Sequence, residues 1–334
     1  MTLVVGALSV LLFAYSLRTV GLTEIGGALG RLGPAGFGLV LALSGFRLVA
    51  RSLAWMTCVE GGQRLGLREA VAATLMGEAL GNVTPLGTFV SEPSKAVFVR
   101  DRVTLPAALS GIVIENIFYT ATVALMIGLG AVAFLLQFPM PDALRLASLG
   151  AIAGMLLIVG AAWWVLAAGA KPVSGVIRWL RARGLSAARL DAQFERVRRF
   201  EEQINTFSRR DRGRLGRLAL WEGAFHLAGV AEVYVTLAFI APDAITLLKA
   251  LVLEAVGRVI NVLFRFVPMR FGVDEAGNLL LARPLELPQA SLVALPLVRK
   301  ARLLAWTGVG VLLLLQRGLS VRKAIRETEN LPLP

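Results

Sequence analysis

Charge is scarce in this 334-residue sequence. Only 17% of its residues are Asp, Glu, Lys or Arg, against roughly 25% in a soluble globular domain. Cys58 is the only cysteine and His226 the only histidine. That excludes an intrachain disulfide framework, a cysteine-cluster metal site and a multi-histidine zinc site, so neither metal nor cofactor is expected. The glycine-rich stretch GGALGRLGPAG (26–36) lacks the Lys-Ser/Thr of a phosphate loop, and no strand precedes it. There is no serine elbow and no second histidine for a nucleophilic triad.

What is abundant is apolar sequence: 56% of residues are hydrophobic and the mean hydropathy is +0.71. Runs at 109–136, 147–170, 218–240 and 244–264 reach the length needed to cross about 30 Å of hydrocarbon as helix. The N-terminal run MTLVVGALSVLLFAYSL has no basic leader and no clean A-x-A site, so it reads as a retained span rather than a cleaved signal. The expected fold is an all-α, polytopic integral membrane bundle of about seven or eight spans, one domain over 1–334.

The formal charge of +13 sits mainly between spans. Residues 171–217 hold thirteen Lys/Arg against five acids, the pattern of a cytoplasmic loop with possible attraction to anionic lipid rather than of nucleic-acid binding. This basic amphipathic linker divides a first half (1–170) from a second (218–334). Counting back from it puts the N-terminus in the cytoplasm and both 61 and 95 on the same side, with a mostly apolar segment between them. A single crossing would break the count, so 67–95 is expected to enter the bilayer and return. Residues 67–81 would form a short helix, Gly81–Gly87 the tip, and a return helix would be capped by Ser91 with Pro93 in its first turn. A surface loop is the plainer alternative.

The second half repeats the theme. Pro85 and Glu92 are seven apart, and so are Pro268 and Glu275, with Asn82 before the first pair and Asn261 and Arg265 before the second. This hints at an internal duplication with a second re-entrant or broken segment over 261–298, in which a half-helix or kinked helix leads to the last span.

Ionisable groups inside apolar runs imply pairing or a polar cavity, because one charge near the bilayer centre costs about 2.5–3.5 kcal/mol. They include Glu78, Glu115, Glu222, Glu232, Glu254 and Arg258. Residues 254, 258, 261 and 265 share one helical face at regular spacing and would form a cavity wall. Glu222, His226 and Gly229 form a second face. Each glutamate has two readings, a structural hydrogen bond or a functional lining; Arg47 and Arg51 either snorkel to an interface or bind phosphate. The candidate substrate or translocation residues are Glu78, Asn82, Pro85, Glu92, Lys95, Glu115, Glu222, Glu254, Arg258, Asn261, Arg265, Arg270 and Glu275.

The segments GNVTPLGTFVSEPSKAVFVR (81–100) and NVLFRFVPMRFGVDEAG (261–277) resemble the two polar segments of the membrane-embedded, flippase-like domain of the lysylphosphatidylglycerol synthases. That family has stand-alone members, some associated with hopanoid lipids. The resemblance covers nearly the whole chain. It implies Asn82, Pro85, Gly87, Glu92 and Lys95 as landmarks of the first segment and Asn261, Pro268, Gly272 and Glu275 of the second. The chain departs from the family where Met269 and Arg270 follow Pro268. Ending at 334, it has no room for the aminoacyl-transferase domain of the full synthases, so it is not expected to charge lipids with lysine itself.

The resemblance implies a bacterial inner-membrane lipid transporter for a polar, phosphate-bearing phospholipid or lipid-linked intermediate, working alone, as a homodimer or beside a separate lipid-modifying enzyme. An intramembrane enzyme of lipid or glycolipid synthesis, or a non-catalytic partner of such an enzyme, are the alternatives.

Overall fold

The computed structural model describes residues 2–59, 65–84, 87–167, 172–183, 212–264 and 267–317, together with positions 194, 198, 201 and 202. Among the described residues there are eleven α-helices and no strands. They are α1 (Thr2–Val20), α2 (Leu22–Cys58), α3 (Leu67–Val83), α4 (Thr88–Phe98), α5 (Leu105–Gln137), α6 (Asp142–Ala167), α7 (Pro172–Ala182), α8 (Arg212–Ile240), α9 (Leu247–Leu263), α10 (Val273–Leu279) and α11 (Gln289–Gln316). Leu22–Cys58, Leu105–Gln137, Asp142–Trp164 and Arg212–Ile240 are long and apolar enough to cross a membrane. Helix α11 has 28 residues but carries Arg299, Lys300 and Arg302.

Helix α2 runs 37 residues, about 55 Å at 1.5 Å per residue, far more than a bilayer core. It bends at Gly33, whose φ of 57° and ψ of −178° belong to a region open almost only to glycine, with Pro34 starting the second arm. The arm after the bend carries Arg47 and Arg51 into the bundle and packs along α8.

Helices α3 and α4, of 17 and 11 residues, are each shorter than the ~20 residues a perpendicular span needs. They fold back on each other as an antiparallel hairpin, Gly81 lying against Gly87 and Ser91, and Gly77 against Ser91 and Lys95. The return helix begins at Thr88, earlier than the expected cap at Ser91. Gly87, at φ 48°, reverses the chain and accepts the N–H groups of Val90 and Ser91, which leaves Ser91 and Pro93 inside the helix.

Two features of the second half bear on the expectations. Helix α9 ends at Leu263, with Phe264 as its cap, so it carries positions 254, 258 and 261 of the expected face, while position 265 lies outside the described residues. Of the two forms expected before the last span, a half-helix or a kinked helix, the structure has a single helix, Gln289–Gln316, running through Pro296. Proline lacks only one N–H, and tight packing of α11 against α3, α2 and α10 carries the helix past that gap.

The buried apolar core is divided among clusters. One joins α2, α3, α4 and the start of α5; another joins α5, α8, α9 and the segment 281–295. Helix α6 packs chiefly on α5 and leaves Leu156, Leu157, Trp163 and Trp164 exposed. That is the composition of a lipid-facing helix with an aromatic interface end.

Candidate functional site

Between α2, α3, α5, α8, α9 and α11 lies a polar cavity of about 200 Å³. Four guanidinium groups border it: Arg47 and Arg51, one turn apart on α2, Arg258 of α9 and Arg302 of α11. Arg47 Nη1 donates to Glu232 Oε2 at 2.8 Å, and Arg302 grips both oxygens of the same carboxylate. Arg258 binds Glu254 through Nε at 3.0 Å and Nη2 at 2.8 Å, and Arg299 holds the other oxygen of Glu254. Arg47 and Arg302 thus share Glu232, and Arg258 shares Glu254 with Arg299, which stands outside the cavity lining, so each of these two carboxylates faces two positive charges.

Aromatic faces support these cations. Arg47 lies 4.6 Å and Arg258 5.1 Å from the Phe225 ring centre, and Arg51 lies 4.1 Å from that of Tyr119. Arg258 Nη1 also donates to the Tyr119 hydroxyl at 3.1 Å. Stacked and paired guanidinium groups are held in one orientation while unused N–H groups remain for a ligand. Arg47 Nε is one such buried donor without a hydrogen-bond partner. Neither Arg47 nor Arg51 snorkels; both turn inward.

A second cluster adjoins the cavity through Arg51. Its Nε is 3.3 Å from Glu115, and its Nη2 is 3.2 Å from the Asn116 side-chain oxygen and 3.8 Å from Glu92. Lys95 donates to both oxygens of Glu92 at 2.9 and 3.0 Å. The hairpin α3–α4 is therefore tied to α2 and α5 by charge as well as packing. Glu78, on α3, borders the cavity with no ion pair among the described residues.

The Pro268–Glu275 segment builds something different. Glu275, fully buried, accepts from Lys300 Nζ at 2.7 Å and from the Gly272 backbone N–H at 2.8 Å. Arg270 reaches Asp274 at 3.3 Å and the Asn261 side-chain oxygen at 3.0 Å. Met269 and Arg270 both stand at positive φ, 48° and 49°, a conformation costing on the order of 1 kcal/mol or more for each non-glycine residue. None of these residues borders the polar cavity.

The expected residues thus separate into groups. Glu78 and Arg258 line the cavity, Glu254 stands directly behind Arg258, and Glu92, Lys95 and Glu115 are linked to the cavity by Arg51. Asn261, Arg270 and Glu275 lie in the other cluster, so Asn261 does not continue a cavity wall; it is exposed and bound to Arg270. Asn82 is also exposed and donates to Thr307 at 2.9 Å, fastening the hairpin tip to α11. Pro85 and Arg265 lie outside the described residues. Glu222 is buried on α8 one turn before His226, whose Nε2 is 3.1 Å from Thr122 Oγ1.

Sequence reasoning missed Arg302, Tyr119, Phe225 and Trp306 as cavity residues and left Glu232 unassigned. For Arg302 a signal existed: three basic residues within four positions of an otherwise apolar helix.

A second cavity, apolar and about 660 Å³, lies between α5, α6, α9 and α10. Its walls include Ile127, Phe134, Val256 and Val259.

The family model described as "Lysylphosphatidylglycerol synthase TM region" matches residues 2–312. The chain belongs to that family, a multi-pass membrane domain linked to lipid synthesis or flipping. Comparison with curated proteins and with solved structures finds no match to the chain.

Proposed function

We propose that this membrane domain translocates a polar, phosphate-bearing lipid between leaflets, with the head group in the arginine-bordered cavity. The observation that carries the reading is the charge arrangement there: four guanidinium groups border about 200 Å³ of polar space, and the Glu232 and Glu254 carboxylates behind them are each shared by two arginines. A phosphate entering it would meet charge-assisted donors, which bind about twice as strongly as neutral ones. The neighbouring apolar cavity of about 660 Å³ suits an acyl chain, leaving only the head group to be carried past the bilayer core.

The short α3–α4 hairpin supports the same picture if it enters the membrane and returns. Protein must then satisfy the backbone at its tip, and Asn82 bound to Thr307 of α11 supplies one such tie. The Pro268–Glu275 segment would be its counterpart in a duplicated architecture. The positive-inside charge pattern favours an orientation with the N-terminus in the cytoplasm, and the family resemblance favours a bacterial inner membrane.

The test is transport by purified protein in liposomes. Labelled phosphatidylglycerol should cross between leaflets faster than in protein-free vesicles. Equal rates across a panel of anionic phospholipids would refute the proposal.

A further inference from the structure

Glu222 stands apart from four other buried glutamates. Glu115, Glu232, Glu254 and Glu275 each contact an arginine or lysine. Glu222 is 2% exposed, has no ion pair among the described residues, and its Oε1 has no hydrogen-bond partner. One turn along α8, His226 is also buried, with Nδ1 unpartnered. The two side chains meet at one atom, the hydroxyl oxygen of Thr122 on α5: His226 Nε2 lies 3.1 Å from it and Glu222 is hydrogen-bonded to it.

Donor counting at that oxygen assigns the protons. A threonine hydroxyl has one hydrogen and two acceptor positions. With the Thr122 hydrogen on the Tyr119 carbonyl, 3.0 Å away, both remaining partners donate to its oxygen; with the hydroxyl turned to Glu222, it donates to the carboxylate. The first arrangement is the protonated form of the site, with the His226 proton on Nε2, Nδ1 a bare acceptor and the Glu222 carboxyl donating as an acid; the second is its deprotonated form. From this geometry we infer that Glu222, Thr122 and His226 form a proton-binding site whose occupancy is linked to that of the arginine cavity.

The linkage runs through the groups that face Glu222. These are Arg51 of α2, Glu115 of α5 and Arg258 of α9; His226 faces Arg47, Arg51, Glu254 and Arg258. On α11, Arg302 is engaged with Glu232, farther along α8. Arg51 and Arg258 also border the anion cavity. A bound phosphate would neutralise them and remove their support for a charged Glu222. A proton on Glu222 in turn removes its repulsion of the phosphate. Proton and anion therefore bind cooperatively, and by reciprocity each raises the affinity for the other by the same factor. This inference rests on the anionic head-group reading above and adds a proton that binds together with the head group.

Binding of short-chain dioctanoyl phosphatidylglycerol to the full-length purified protein, measured from pH 5.5 to 8.5, tests it. Affinity should fall as pH rises, by up to about tenfold per unit for one linked proton. Glu222→Gln should retain the affinity of the low-pH wild type and lose the slope. A wild type without a slope, or a slope that survives in Glu222→Gln, would overturn the inference while leaving the head-group reading intact. No binding at any pH would overturn the head-group reading. The proton site then stands or falls on infrared spectroscopy at neutral pH. A protonated-carboxyl carbonyl band should be present in wild type and missing from Glu222→Gln; absence of that band in the wild type removes the site. Thr122→Val, which deletes the acceptor but keeps the shape, should shift the same band and serves where Glu222→Gln fails to fold.

Discussion

The polar cavity and the apolar cavity share two walls, α5 and α9, and differ in what those helices show each side. Toward the polar side α5 presents Tyr119 and α9 presents Arg258; toward the apolar side the same helices present Ile127, Ala131 and Phe134, and Val252, Val256 and Val259. The switch on α9 needs no break in the helix, because 254 and 258 are one turn apart while 252, 256 and 259 lie on the opposite side. On α5 the switch is along the helix, two turns from Tyr119 to Ile127. One pair of helices thus separates a compartment for charge from one for hydrocarbon, the two parts of a phospholipid.

The separation is broken most severely by Glu254→Leu. This leaves Arg258 and Arg299 without their shared acid, and stranding buried charge costs about 3–5 kcal/mol. The thermal unfolding midpoint in detergent should drop sharply. Next comes Arg302→Gln, in which Glu232 keeps Arg47. The loss of one charged hydrogen-bonding group, about 1.5–3 kcal/mol, should weaken anionic phospholipid binding roughly ten- to hundredfold with little change in unfolding midpoint.

Gly130→Val acts on the shared wall. Any Cβ at 130 meets Ala255 directly, so the change should push α5 from α9 and cost about 1–3 kcal/mol in stability, lowering transport of charged and neutral lipids alike. The smallest effect is expected from Ala151→Trp, on the α6 side of the apolar cavity. Displacing one or two methylenes of an acyl chain, at about 0.8 kcal/mol each, should slow long-chain lipid several-fold and leave short-chain lipid binding unchanged.

How much of this could be read beforehand depended on sequence distance. Helical periodicity announced α3 and α9, and the pair Glu254–Arg258 was visible as a spacing of four. The cavity was not visible as a whole, because its arginines come from α2, α9 and α11, and no local pattern relates position 47 to 302. Asn261 shows a second limit. Its spacing from Arg258 fits the face, but α9 ends two residues later and Arg270 draws the amide elsewhere. Helix α11 shows a third: Pro296 reads locally as a break, and only packing from three helices reveals why it is not one.

The charge surplus of the arginine cavity is tested most directly by native mass spectrometry of the detergent-purified protein, counting retained lipid. Wild type should hold an anionic phospholipid in preference to neutral lipid, and the Arg47→Gln/Glu232→Gln/Arg302→Gln variant, which removes the shared acid with its two arginines and so strands no buried charge, should lose that preference while remaining folded. Equal retention of neutral and anionic lipid by wild type, or an unchanged preference in the variant, would contradict a head-group site built from these arginines.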